Sequence, residues 1–318
     1  MHPAARAAAA VTAAGAGALA WASLVERNWY AVRRATLPVL PDGATPVRVL
    51  HISDLHLVPR QERRIAWVRG LASLEPDFVV NTGDNCSDLD AVPAVLRAME
   101  PLLHLPGAFV LGSNDYFAPT AKNPLLYFNR SHPRGSESQA DELPWRELVA
   151  GFTSGGWLDL TNARRSLTVR GLDLELVGVD DPHLGYDRYP AVAGPADPAA
   201  DLTMGVLHAP YTHVLDAMAA DGARVLLAGH THGGQLCVPG YGALVTNCDL
   251  DRRRAKGVSR WWPGANGQRS TSAPCDAAWL EVSAGLGHNK YTPVRFACRP
   301  EATLLTLAPA SWDSGRTL

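Results

Sequence analysis

Five times along this chain, a short apolar run breaks off into a cluster of aspartate, asparagine or histidine. Val47–Ile52 leads to Ser53-Asp54-Leu55-His56, and Asp77–Val80 leads to Asn81-Thr82-Gly83-Asp84. Ala108–Leu111 runs into Gly112-Ser113-Asn114-Asp115, Leu202–Leu207 into His208, and Ala223–Leu227 into Gly229-His230-Thr231-His232. Short β-branched runs of this kind read as buried strands. Between the first three lie stretches with helical spacing, at about 61–73 and 91–100; Ile65, Val68, Leu71 and Ala72 share one face of the first. Strands alternating with helices need crossover connections, and therefore a sheet wrapped by helices. Sites in such sheets form beyond the carboxyl ends of the strands, where all five clusters fall.

The remaining segments bear on organisation. A short helix is expected around Trp145–Gly151, a hairpin over Ser166–Arg170 and Leu172–Val179, and a helix over Tyr211–Ala220. Ala118–Glu142 reads as a long loop, a feature that is often functional. Ala277–Ser283 and Val294–Leu307 are expected to return as strands of a second sheet. Residues 251–270 carry Arg252, Arg253, Arg254, Lys256, Arg260 and Arg269 around Trp261 and Trp262. They read either as a solvated loop or as a rim that meets anionic head groups while the tryptophans seek a membrane interface. Asp180, His183, Gln235 and His288 are candidates to line a cleft; His51, His104, His132 and His213 read as structural or exposed.

The N-terminus is unusual. Residues 7–25 carry no charge and include ten alanines. As a helix rising about 1.5 Å per residue, this stretch can cross a hydrocarbon core of about 30 Å. It reads as a signal anchor, a cleaved signal peptide or an Ala-rich terminal helix. Arg27, Arg33 and Arg34 outnumber Arg6 across the segment, so the catalytic side is expected to face the cytoplasm. The expected division is an N-terminal segment over 1–36, a linker over 37–46 rich in proline, and a folded domain over 47–318. A cut at residue 36 is then expected to release an intact, soluble domain. A formal charge of −2 gives no pull towards nucleic acid, and no nucleic-acid partner is expected. Five cysteines without C-x-x-C spacing argue against a disulfide framework.

Taken singly, each polar cluster has a plain explanation: Asp54 and Asp84 as caps or turn formers, His208 as a core histidine. Taken together they supply two carboxylates, one carboxamide and four imidazoles, a mixed nitrogen and oxygen set suited to Mn, Fe, Zn, Co or Ni rather than calcium.

The order Asp54-Leu55-His56, Gly83-Asp84, His208 and Gly229-His230-Thr231-His232 resembles that of the calcineurin-like metallophosphoesterase family, over about Val47 to Leu307. The closing stretch, with Ser283-Ala284-Gly285-Leu286-Gly287 and Arg299-Pro300-Glu301, is similar to a membrane-linked bacterial branch of it. The resemblance implies an α/β fold, a four-layer α/β/β/α sandwich of two mixed sheets flanked by helices. It implies two divalent or trivalent transition-metal ions, the first held by Asp54, His56, Asp84 and His232. The second would take Asp84, Asn114, His208 and His230, with Asp84 shared. The implied reaction is hydrolysis of a phosphoester or pyrophosphate bond by a hydroxide between the ions. Its substrate would be a phosphorylated small molecule or lipid, such as a lipid-linked or nucleotide compound.

One block departs from the family's Gly-Asn-His-Asp. An ungapped reading of Gly112-Ser113-Asn114-Asp115 puts Ser113 at the ligand position and Asn114 in place of the catalytic histidine. A shift by one residue makes Asn114 the ligand and puts Asp115 in the histidine's place. The shift is preferred because an amide carbonyl is a competent ligand and a serine hydroxyl a poor one. Asn114 and Asp115 are thus the catalytic candidates. A substrate with a good leaving group suffers least from the missing histidine. The departure also leaves open a metal-binding pseudoenzyme that holds a phosphorylated ligand or partner without turnover.

Overall fold

The computed structural model describes residues 2–121 and 140–312. Helix α1 (Pro3–Ala20) precedes strands β1 (Ala31–Leu40) and β2 (Val47–Ile52), helix α2 (Glu62–Gly70), β3 (Phe78–Asn81), α3 (Val92–Met99), β4 (Gly107–Phe109) and the single turn α4 (Ser113–Tyr116). There follow α5 (Trp145–Ser154), β5 (Leu158–Asp159), β6 (Ala163–Val169), β7 (Leu172–Gly178), β8 (Leu202–Val206), α6 (Thr212–Ala220) and β9 (Val225–Ala228). The chain closes with β10 (Cys237–Val238), β11 (Gly242–Ala243), β12 (Gly257–Trp261), β13 (Ala278–Val282) and β14 (Glu301–Pro309).

Two mixed six-stranded sheets form, ordered β1-β14-β2-β3-β4-β5 and β12-β13-β9-β8-β7-β6. Their faces follow from strand alternation. Val49, Phe78, Val80 and Leu305 point between the sheets to meet Leu174, Leu176, Met204 and Leu227. Their neighbours Leu50, Ile52 and Val79 point outward onto Ile65, Val68, Val95 and Phe152 of α2, α3 and α5. On the far side, Leu226, Leu280 and Val282 cover Val214, Leu215 and Met218 of α6. Three apolar seams between four layers are the sandwich that the resemblance implied.

Several sequence expectations change. The linker expected over 37–46 is a strand as far as Leu40, and Leu37 and Leu40 are buried. Pro38 misled the reading; β1 is an edge strand, where a residue without an N–H is tolerated, and its register shifts there. The expected boundary at residue 36 therefore falls inside β1. In the tail, β13 joins the second sheet as expected, but β14 inserts into the first, between β1 and β2.

The basic segment 251–270 is largely tied to the domain rather than a free rim. Arg254 is buried and donates to the carbonyls of Arg260, Ala265 and Gln268, while buried Trp261 gives its Nε1–H to Asp216. Of the expected loop Ala118–Glu142, residues 122–139, with His132, lie outside the described residues. All five cysteines are free thiols. Helix α1 buries none of its residues and continues through two irregular turns to Asn28. The span Pro3–Asn28 is long and apolar enough to cross a membrane by length and composition.

Candidate metal centre

The carboxyl ends of β2, β3 and β4 in one sheet face those of β8 and β9 in the other, and the polar clusters meet there. Asp54, His56, Asp84, His230 and His232 all have left-handed backbone, with φ of 52°, 41°, 57°, 67° and 51°. An L-residue costs about 1–2 kcal/mol in that region. Such strain persists only where the surroundings over-determine it, typically at functional sites. Here the surroundings are hydrogen bonds between the loops: Asp54 N to Gly83 O at 2.9 Å, His56 N to Asp84 O at 2.9 Å, and His230 N to both Asp54 oxygens at 3.1 Å. Glycine makes the close approach feasible. A Cβ at Gly112 would overlap Asp84 and His208, and one at Gly285 would lie 2.6 Å from that of Asp54.

One donor atom from each of Asp54, His56, Asp84 and His232 lies within 4.8 Å of all the others. The Nε2 atoms of His56 and His232 stand 3.1 Å apart, and His56 Nε2 is 3.4 Å from Asp84 Oδ2. On the other side of Asp84, His208 Nε2 is 3.4 Å from Oδ1. His208 Nδ1–H donates to Thr82 O at 2.6 Å, which turns Nε2 towards Asp84. That nitrogen is buried and has no hydrogen-bond partner among the described residues. The His230 ring meets that of His208 edge-on at 5.2 Å. Asn114 comes to the same carboxylate, giving its backbone N–H to Asp84 Oδ1 at 2.7 Å and its Nδ2–H to Oδ2 at 2.9 Å. Ser113 Oγ lies 3.4 Å from the Asn114 amide.

Electrostatics divide the imidazoles: burial opposes the charge on His208, but Asp84, with Asp181 and Asp54 adding, outweighs it and holds that ring well above its ordinary value. Burial lowers His56 to about 4, and burial followed by neighbouring positive charge holds His230 and His232 far below their ordinary value. Neutral imidazole is the ligand form. Burial pushes Asp54 up to about 6, with His208 opposing and Asp84 adding to the rise. An orphaned imidazole nitrogen, converging ring nitrogens and buried carboxylates are a donor set that fits transition-metal ions.

Asp115 does not stand at the front of this centre. Its Oδ2 accepts the amides of Asp84 at 2.8 Å and Gly112 at 3.0 Å, and its Oδ1 accepts that of Asn85 at 2.8 Å. The carboxylate is fully buried and clamps the Gly112 turn to the Asp84 loop. This geometry differs from the expected place of the family histidine, because both oxygens are already committed to backbone. Asp115→Ala should therefore act on the fold of the site, leaving three buried amides without acceptors. The unfolding free energy should fall by about 2–4 kcal/mol, with metal occupancy falling too. Loss of turnover with wild-type stability and metal content would restore the expectation of a purely catalytic Asp115.

Other residues support the site from behind. His51 is structural, one of the two roles expected of it: it is buried, with Nδ1 on Glu281 of β13 and Nε2 on Thr82 Oγ1 at 2.9 Å. This bridge between sheets holds Thr82, whose carbonyl orients His208. Its signal was Glu281, a lone acid inside the apolar run Ala278–Val282. Ser87 Oγ steadies His56 Nδ1 at 3.1 Å, and nothing in its spacing marked it. Of the four cleft candidates, His183 packs against His230, the rings tilted by 44° with centroids 4.5 Å apart. Asp180 accepts Tyr116 O–H at 2.9 Å, Gln235 donates to Thr292 O at 2.9 Å, and His288 is buried and lowered by burial to about 3.

Paired sheets with buried His and Asp donors at their facing strand ends define a metal-dependent hydrolase. Residues 47–234 match the family model for calcineurin-like phosphoesterase, and the chain belongs to that family. It is 26% identical over 304 residues to "Phosphodiesterase YaeI" of Escherichia coli, covering 94% of this chain and 96% of that one. An "Uncharacterized metallophosphoesterase" of Aquifex aeolicus is 27% identical over 300 residues, covering 90% and 94%. "Transmembrane protein with metallophosphoesterase domain" of Bos taurus is 27% identical over 232 residues, covering 68% of this chain and 48% of its own. The chain is a metal-binding phosphoester hydrolase.

Proposed function

We propose that the centre holds two transition-metal ions bridged by Asp84 and hydrolyses a phosphodiester or pyrophosphate bond. The first set would be Asp54, His56, Asp84 and His232, and the second Asp84, Asn114, His208 and His230. The observation that carries this reading is the pair of imidazole donors approaching Asp84 from opposite sides, His56 at one oxygen and the orphaned His208 Nε2 at the other. Ions held by these residues would supply Lewis acidity to a phosphoryl group and to water.

The protein's own groups do the rest. Thr82 O holds the Nδ1–H of His208, so that Nε2 is the nitrogen presented to Asp84 and to an ion. The Asp115 clamp fixes the turn on which half-buried Asn114 stands, and the Asn114 amide can donate to a phosphoryl oxygen as well as present its carbonyl. No imidazole lies on that turn, and its one carboxylate is engaged by amides. The turn therefore offers a leaving group neither an imidazolium nor a free carboxyl as general acid. Substrates whose leaving oxygen departs as a weak base, such as an aryl phosphodiester or a nucleotide-type or lipid-linked pyrophosphate, suit it best.

The span Pro3–Asn28 supports association with a membrane, with the catalytic domain on the cytoplasmic side by its flanking arginines. The name of the bovine relative fits a membrane setting, and that of the bacterial one fits a phosphodiester.

Elemental analysis of the purified protein should give close to two metal ions per chain. Bis(p-nitrophenyl) phosphate and a nucleoside diphosphate ester should then be cleaved faster than an alkyl phosphomonoester, with activity lost on chelation and restored by metal. One ion per chain in the fully active protein sinks the dinuclear reading. Two ions with no hydrolysis across the panel would return the reading without turnover.

A further inference from the structure

The end of the N-terminal apolar helix is built into the back of the metal centre. Glu26 is 5% exposed, and its carboxylate takes two hydrogen bonds: Oε1 from Cys298 N at 2.6 Å and Oε2 from Trp21 Nε1 at 2.9 Å. One turn earlier, Ala22 O accepts Arg295 N at 3.1 Å. Helix end and loop 295–298 are thus joined by charge-assisted and backbone bonds, the stronger of which belong to a buried carboxylate.

That loop in turn holds the centre. Arg295 is fully buried, and its guanidinium donates to the carbonyls of Ala284 at 2.7 Å, Gly285 at 3.1 Å and Gly287 at 2.6 Å. Its Nη2 packs 3.3 Å from Nδ1 of His232, at the ring edge opposite Nε2; with an ion on Nε2 the ring proton sits on Nδ1, so this is a packing contact rather than a hydrogen bond. Cys298 Sγ–H meets the His232 carbonyl at 3.3 Å. Gly287 N–H donates to Asp54 O at 2.5 Å. Two residues of the first ligand set, Asp54 and His232, are therefore steadied by the segment that Glu26 anchors. Among the described residues, neither Asn114, His208 nor His230 has a direct hydrogen bond to that segment.

We infer that Glu26 is a positioning residue for the first metal site: it docks the helix end onto loop 295–298, and through Arg295 and Cys298 sets where His232 stands. The helix junction thereby governs the hold on one ion without touching it. The inference rests on the reading of His232 as a ligand. Partners behind a ligand typically carry about 10–100-fold of metal affinity.

The test is Mn²⁺ titration of the metal-free, full-length protein in detergent micelles, with free Mn²⁺ read by electron paramagnetic resonance and apo-protein unfolding followed alongside. His232→Ala should abolish one of two binding steps. Glu26→Ala should weaken that same step about tenfold, the lower end expected for a group acting through others, and leave the other step unchanged. Trp21→Phe, which removes one donor to Glu26, should weaken it less and in the same direction. Deleting residues 2–17, which bury nothing, should move neither step. If Glu26→Ala lowers the unfolding temperature but both Mn²⁺ affinities stay at wild type, the role is merely structural and the inference falls. Should Glu26→Ala not fold, Glu26→Gln and Trp21→Phe carry the test, and wild-type affinities in both overturn it. Unchanged binding in His232→Ala overturns the ligand reading itself.

Discussion

An Asp84→Ala protein is expected to lose both metal ions and at least about 10³-fold in kcat, the largest effect of any single substitution here. The reason is geometric. His56 Nε2 lies 3.4 Å from one Asp84 oxygen and His208 Nε2 3.4 Å from the other, so one carboxylate serves both sides of the centre. It also accepts two hydrogen bonds from Asn114, and its loss would free that turn as well. Asp84→Gly makes an instructive companion. At φ 57° alanine keeps the left-handed strain and glycine does not, so the glycine variant should unfold at about 1 kcal/mol higher free energy than the alanine variant, both free of metal. Both should be equally inactive. Elemental analysis, unfolding curves and initial rates on bis(p-nitrophenyl) phosphate read the three effects separately. One ion retained in Asp84→Ala would refute the bridging role.

Removal of residues 1–36 should not release an intact domain, whereas removal of residues 2–20 should. The shorter cut takes only helix α1, which buries no residue. The longer one takes buried Ala22 and Glu26 and the first part of β1, whose Ala31 to Thr36 pair in parallel with Glu301 to Thr306. It also takes Arg33, which holds the Glu301 carboxylate at 2.7 Å while that side chain is 3% exposed. A nearly buried carboxylate without its partner costs on the order of 3 kcal/mol, somewhat less here because Arg33 itself is partly solvated. Much of β14 would become an uncovered edge, which invites aggregation. The shorter variant should leave the membrane fraction and unfold near the wild-type midpoint; the longer should be insoluble or unfold several degrees lower. Equal midpoints for the two would show that β1 contributes nothing to the domain.

What the sequence by itself determined is whatever local spacing controls. Short apolar runs and helical periodicity located β2, β3, β8, β9, α2 and α3, and so an α/β sheet wrapped by helices; its four layers were implied by the family resemblance. The glycines beside Asp84 and His230 marked turns that only a strained, purposeful backbone would keep. Carboxylates and imidazoles at strand ends then marked candidate donors, because those residue types carry lone pairs suited to metal ions, and the resemblance sorted them into two sets. Pro38 was misread because its cost depends on whether a strand is at an edge, and sheet order is not written in any ten-residue window.

Asp115, Glu26, Glu281 and Arg295 belong to the other kind of knowledge. Each is a charged side chain whose role follows from which partners surround it when buried. Asp115 meets amides 30 and 31 residues away, Glu281 meets His51 230 residues away, and Glu26 meets Cys298 N 272 residues away. A carboxylate met by backbone amides is a clamp, and the same carboxylate facing a cleft is an acid or a ligand. Only the tertiary structure decides between them, since desolvation and hydrogen bonding act at the place where distant segments meet.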